Sequence, residues 1–236
     1  MVHGLIGSLE YFDPVRRIVG ASVGAIDLGG YGALRNECPL TLQGQAEHVA
    51  SCLSGRPAWL LGHSMGGAIA MMVADQHPDR VAGVINVEGN FTLKDAFWSK
   101  TIAASSLDEW SERYRAMRDD VADWLTRCNI EPNAQRIEWA TRILDNQPPE
   151  TVHAMAQAII AETGAPAYLD AVRRVVDRGL PIHLIAGERS AGEWDVPRFV
   201  RDAARTYTEI RGVGHLMMLE EPDAFCAAVD TILASS

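Results

Sequence analysis

Cysteine is scarce in this chain of 236 residues, and the four present are scattered. Cys38, Cys52, Cys128 and Cys226 form no C-x-x-C pair and show no metal-ligand spacing, which argues against a zinc or iron–sulfur module and against a disulfide framework. The expectation is reduced thiols in a cytoplasmic protein with no resident metal and no organic cofactor. A positively charged start leading into an apolar core is lacking, so no signal peptide is expected. No apolar run approaches the length needed to span a bilayer. Basic residues are in deficit, 21 Lys and Arg against 31 Asp and Glu, and the net charge of -10 argues against nucleic acid or an anionic membrane as the main partner. There is no internal repeat, low-complexity tract or charge block. Gly29-Gly30 is not a phosphate loop, because no G-x-x-x-x-G-K-[ST] follows. What remains is the composition of an ordinary enzyme domain. Hydrophobic residues make up 47%, sufficient to fill a large interior, and the length suits one α/β domain with a small insertion. The expected partner is a small-molecule substrate, with a homodimer left open.

The most informative segment is Gly62-His63-Ser64-Met65-Gly66, a G-x-S-x-G pentapeptide. Ala58-Trp59-Leu60-Leu61 before it is a short apolar run suited to a buried strand. Ala68, Ile69, Met71, Met72, Val73 and Ala74 after it make an apolar helix that stops near His77-Pro78. A serine on so sharp a turn is pushed up at the carboxyl end of the sheet, where a substrate can meet it. A hydroxyl is a weak nucleophile near neutral pH and needs a base. Of seven histidines, His215 is the candidate: it lies in the Gly-rich loop Gly212-Val213-Gly214-His215, after the strand-like Tyr207-Thr208-Glu209-Ile210 and before an amphipathic helix carrying Phe225, Val229 and Ile232 on one face. Its late position fits the chain order serine, acid, histidine. His63 adjoins the serine inside the turn and is expected to pack or bond locally.

These features and others in the same order resemble the α/β-hydrolase family over nearly the whole chain. The matching segments are His3-Gly4-Leu5, Asp27-Leu28-Gly29-Gly30-Tyr31-Gly32, the Ser64 turn, Ala186-Gly187-Glu188, and Gly212-Val213-Gly214-His215 followed by Glu221-Pro222. The resemblance implies a mostly parallel sheet flanked by helices, with an all-helical cap inserted between strands 6 and 7 of the family's sheet. It also implies an oxyanion hole made by the backbone N–H groups of Leu5 and Met65. The physical need is general, since an acyl-transfer intermediate develops a negative oxygen that fixed donors stabilise.

Two departures from the family pattern stand out. The chain reaches the oxyanion loop at its third residue, where family members carry two further strands and most of a third, so either the start is truncated or the sheet is smaller. Ala21 to Ile26 then reads as a strand at a sheet edge. The acid also departs: the commonest pattern puts Asp two residues after Gly-Glu, and here Ser190 holds that place. Three carboxylates compete. Glu88 ends the strand Val84-Ile85-Asn86-Val87, the position used by haloalkane dehalogenase-like branches, and is placed first. Asp195 would serve if residues 191–194 are an insertion, and Glu188 is third.

Residues 91–179 break the strand–helix alternation and read as successive helices. Trp110, Tyr114, Met117, Val121 and Trp124 share helical spacing, a second helix spans about Pro132 to Leu144, and a third begins near Glu150 after Pro148-Pro149. The expected division is a core of residues 1–90 and 180–236 and a cap of residues 91–179. Four of six tryptophans, Trp98, Trp110, Trp124 and Trp139, fall in the cap, as glue or as walls of an apolar acyl pocket. The reading that results is a serine hydrolase acting on an ester or thioester of a small, mainly apolar molecule, with Ser64 as nucleophile, His215 as base and Glu88 as its acid. The alternative is a biosynthetic cyclase or acyltransferase on the same scaffold, since fold and triad do not define the substrate.

Overall fold

The computed structural model describes residues 1–35, 39–53 and 55–235, so the expectation for Cys38 lies outside the described residues. The chain begins with α1 (Pro14–Arg17), α2 (Leu42–Cys52) and β1 (Ala58–His63), then α3 (Met65–Gln76) and β2 (Val81–Val87). Six helices follow without a strand: α4 (Phe97–Ala103), α5 (Leu107–Asp119), α6 (Val121–Arg127), α7 (Ala134–Asp145), α8 (Pro149–Thr163) and α9 (Pro166–Asp177). The alternation resumes with β3 (Ile182–Gly187), α10 (Arg198–Ala203), β4 (Thr206–Ile210), α11 (Met217–Glu220) and α12 (Pro222–Ala234).

The strands form one parallel sheet in the order β1-β2-β3-β4. β2 and β3 are apolar almost throughout and nearly fully buried, the pattern of strands covered on both faces. On one face lies α3, whose residues Met65 to Ala74 are all buried. It packs against β1, β2, α2 and α9. Each fully buried Val, Leu, Ile or Met there contributes about 1.5–3 kcal/mol of transfer free energy. Val2 extends the sheet beyond β1 through single parallel bridges to Gly62 and Ile26.

Residues 21–26 are not the regular edge strand expected. Only Ile26 forms a bridge, and its N–H donates to Met1 O at 2.9 Å. A ladder is no longer than its partner, and the neighbouring extended segment is Met1-Val2 alone. The apolar series from Trp110 to Trp124 is likewise divided between α5 and α6. Asp120 leaves the helical conformation and its carboxylate accepts from the N–H of Asp123, a capping bond that starts a new helix. α5 opens on a full capping box between Ser106 and Glu109, and Asn133 caps α7. Three of the four tryptophans between β2 and β3 are packing residues: Trp110, Trp124 and Trp139 are buried, while Trp98 is half exposed. Among the described residues Cys52, Cys128 and Cys226 are free thiols, and no helix is long and apolar enough to cross a membrane.

Candidate active site

Ser64 is the single residue between β1 and α3, at φ 54° and ψ −123°. A non-glycine residue reaches this region only when its surroundings impose it. Close packing imposes it here. A Cβ on Gly62 would lie 2.2 Å from Gly66 O, and one on Gly66 would lie 2.3 Å from Val2 O. Only glycine lets strand, turn and helix meet at these distances. The Ser64 backbone is fully bonded, with N–H donating to Val87 O at 3.0 Å and its carbonyl accepting from Gly67 and Asn90. Its side chain stays partly open to solvent.

The His3-Gly4-Leu5 turn packs directly on the serine. A Cβ on Gly4 would sit 3.0 Å from Ser64 Cβ. Among the described residues, neither Leu5 N–H nor Met65 N–H donates a hydrogen bond. Met65 opens α3, where the first N–H groups have no helical partner. Two unspent backbone donors therefore stand beside the serine turn.

Glu88 follows β2 with φ 43°, a second strained residue in the same place. Its Oε2 lies 2.6 Å from His215 Nδ1, and its Oε1 accepts from Gly187 N at 2.8 Å and Ser190 Oγ at 2.6 Å. Burial pushes the Glu88 carboxyl pKa up, but the bonds and charge of His215, with Ser190 and Gly187, outweigh it and hold the group below the usual glutamate value. A carboxylate accepts only, so Nδ1 of His215 carries the proton and Nε2 is left with its lone pair. Glu88 is buried, while the His215 side chain is 45% exposed and open to a substrate. Among the described residues no hydrogen bond joins the Ser64 hydroxyl to the His215 ring; in unliganded sites that contact is commonly long. The competing carboxylates are engaged elsewhere. Asp195 accepts from Thr92 Oγ1 at 2.6 Å and faces Lys94, and Glu188 accepts from Gly212 N at 2.8 Å.

Several further residues shape the site. His63 donates from Nε2 to His215 O at 2.9 Å, and the two rings lie 4.6 Å apart. Burial, with the His215 charge second, lowers the His63 pKa to about 3, so it is a neutral strut. Trp194 Nε1 donates to Gly89 O at 2.8 Å and pins the turn after Glu88. Glu220 accepts from Gly214 N at 2.7 Å and from Arg189 at 2.7 Å, while Arg189 also bonds Gly212 O and Asn129 O. Arg136 on α7 donates to Glu220 O. The histidine loop is thus tied both to the sheet end and to the helical segment. His63 and Ser190 left traces in the sequence, His63 as a residue inside the serine turn whose bond reaches His215 instead of a local partner, and Ser190 as a serine where the family pattern has an acid. The others act across long separations.

The strained serine at a strand-to-helix turn, beside free backbone donors and a carboxylate-bound histidine, has the geometry of the strand–turn–helix elbow seen in α/β-hydrolase sheets. Residues 1–228 match the alpha/beta hydrolase family, and the chain belongs to it. In sequence it is similar to 2-succinyl-6-hydroxy-2,4-cyclohexadiene-1-carboxylate synthase from Klebsiella pneumoniae, 28% identical over 216 residues that cover 89% of this chain and 82% of the relative. In fold it is similar to a thermophilic esterase from Thermogutta terrifontis, with a TM-score of 0.70, 21% identity and coverage of 99% of this chain and 88% of the other. A variant haloalkane dehalogenase from Agrobacterium tumefaciens aligns with a TM-score of 0.68, 17% identity and coverage of 99% and 88%.

Proposed function

We propose that this protein is a serine hydrolase that cleaves an ester or thioester of a small, mainly apolar molecule through an acyl-enzyme on Ser64. The observation that carries the reading is the 2.6 Å bond from His215 Nδ1 to Glu88. It fixes the tautomer that leaves Nε2 able to take a proton. In this mechanism Ser64 Oγ attacks the carbonyl carbon as Nε2 of His215 accepts its proton. The carbonyl oxygen becomes an oxyanion held by the Leu5 and Met65 N–H groups. The imidazolium, stabilised by Glu88, protonates the leaving alkoxide or thiolate as the bond breaks. His215 then takes a proton from water, which attacks the acyl carbon, and returns that proton to Ser64 Oγ as the acyl–oxygen bond breaks, releasing the acid and free Ser64. Residues 91–179 act as a cap over the serine, and the enzyme works in the cytoplasm.

A second reading is a biosynthetic cyclase or acyltransferase using the same residues. It is favoured by the sequence relative that is named a synthase. Labelling with a fluorophosphonate, together with a panel of esters and thioesters, tests both. The hydrolase reading expects Ser64 labelling, abolished in Ser64→Ala, and turnover of members of the panel. Persistent labelling in Ser64→Ala would overturn the nucleophile. Ser64 labelling without turnover of any ester or thioester would favour the second reading.

A further inference from the structure

The loop that carries Leu5 does not hold its own shape. Gly7 sits at φ 133°, and a Cβ there would be 3.1 Å from Ile143 Cγ2 on α7. Both polar groups of Gly7 are taken by side chains at the junction of α7 and α8. Its N–H donates to Gln147 Oε1 at 3.0 Å, and its carbonyl accepts from Asn146 Nδ2 at 2.9 Å. Gln147 is 2% exposed. Its amide can face only one way: Nε2 donates to Ile143 O at 3.1 Å and to Tyr114 Oη, and Gly7 offers only a donor to Oε1. Tyr114 is in turn buried and donates to Leu144 O at 2.9 Å. On the near side of the loop, Tyr31 Oη donates to Leu5 O at 2.8 Å. Leu5 O and both groups of Gly7 are thereby fixed, and Leu5 N–H is left free.

We propose that Gln147, supported by Asn146, is a positioning residue for the oxyanion hole: it sets the direction of the Leu5 N–H by anchoring Gly7 from the helical segment. This rests on the reading that Leu5 and Met65 hold the oxyanion. The helical segment is then a brace for the catalytic loop as well as a cover. Loss of one oxyanion donor costs about 10²–10³ in kcat in serine-protease precedent. A donor that is kept but misaimed costs less.

The test compares the parent with Gln147→Met, which keeps the volume but removes both amide groups, and with half-buried Asn146→Ala. Rates for a p-nitrophenyl ester are divided by the concentration of fluorophosphonate-titrated serine, and the affinity of an alkyl boronic acid, whose tetrahedral adduct places an oxygen in the hole, is measured alongside. The proposal expects kcat per titrated serine to fall about 10–100-fold in Gln147→Met and several-fold in Asn146→Ala, with KM within about twofold. Boronate affinity should fall with kcat/KM. A merely structural role would lower thermal stability and the titratable fraction but leave kcat per titrated serine unchanged, and that result in both variants overturns the proposal. If Gln147→Met does not fold, Asn146→Ala decides alone. A parent that neither labels nor hydrolyses the ester overturns the hydrolase reading and this proposal with it; a parent that does both, with variants at parental kcat, overturns this proposal only.

Discussion

The turn that carries Ser64 and the loops that face it are held in place by different means. Around Ser64, backbone meets backbone: Ser64 N bonds Val87 O, and Gly62 and Gly66 let strand, helix and the Val2 segment touch. Around His215 and Leu5, buried and half-buried side chains reach across the chain. Glu88 meets His215 over 127 residues, Gln147 meets Gly7 over 140, and Arg136 meets Glu220 over 84. The position of Ser64 is therefore a property of the sheet itself. The His215 ring and the Leu5 loop depend on a few polar contacts that can be removed singly while the sheet persists.

The contrast is sharpest at Glu88. Glu88→Gln keeps the shape, and it should lower kcat by on the order of 10³–10⁴ with little change in melting temperature. Asp195→Asn should stay within about twofold, because Asp195 bonds Thr92 and not His215. The reverse ranking in a steady-state assay would remove Glu88 from its role. On the turn side the expectation is inverted. Gly62→Ala places a methyl 2.2 Å from a backbone oxygen, so stability should fall by about 3 kcal/mol or more and activity only with the folded fraction. Denaturant unfolding would show this, and parental stability would mean that the turn is looser than described.

Acid should act most gently. Burial, foremost, lowers the pKa of His63 to about 3 and of His3 to about 4. Below the unfolded value of 6.5 the unfolded chain binds protons that the native state refuses, so stability contributed by these rings is lost as pH falls from there toward 3–4. Each ring costs up to about 1.4 kcal/mol per pH unit in that window. Glu88, held low, adds the same sign at more acid pH. Asp95, raised to about 6 mainly by burial, runs the other way. The clean measurement is therefore a difference: unfolding free energy at pH 6.5 and pH 5 in the parent and in His63→Gln. The parent should lose more than the variant, and equal losses would mean that His63 is not held neutral by the fold.

The same contrast explains what the sequence revealed. The turn and its flanking strand and helix are local patterns, and they were legible as such. So was the contest among Glu88, Asp195 and Glu188, because Glu88 and Glu188 stand after apolar runs and Asp195 lies a short loop beyond the second run. What a local pattern does not carry is a partner. Ser190 read as a gap in the family pattern, yet its hydroxyl donates to the Glu88 carboxylate that bonds His215. Gln147 read as a loop residue between two helices, and its role appears only when Gly7 comes to lie beside it. The break at Asp120 was written in a capping residue that the continuous apolar spacing concealed.

The central claim is that Ser64 becomes acylated during turnover. Rapid acid quench of the protein during hydrolysis of a p-nitrophenyl ester, followed by peptide mass spectrometry, tests it most directly. The account predicts an acyl mass on the peptide containing Ser64, formed within the first turnover and absent from Ser64→Ala, which should lose activity by a factor on the order of 10⁶. Turnover at parental rate in Ser64→Ala, or an acyl group found only on another residue, would contradict it.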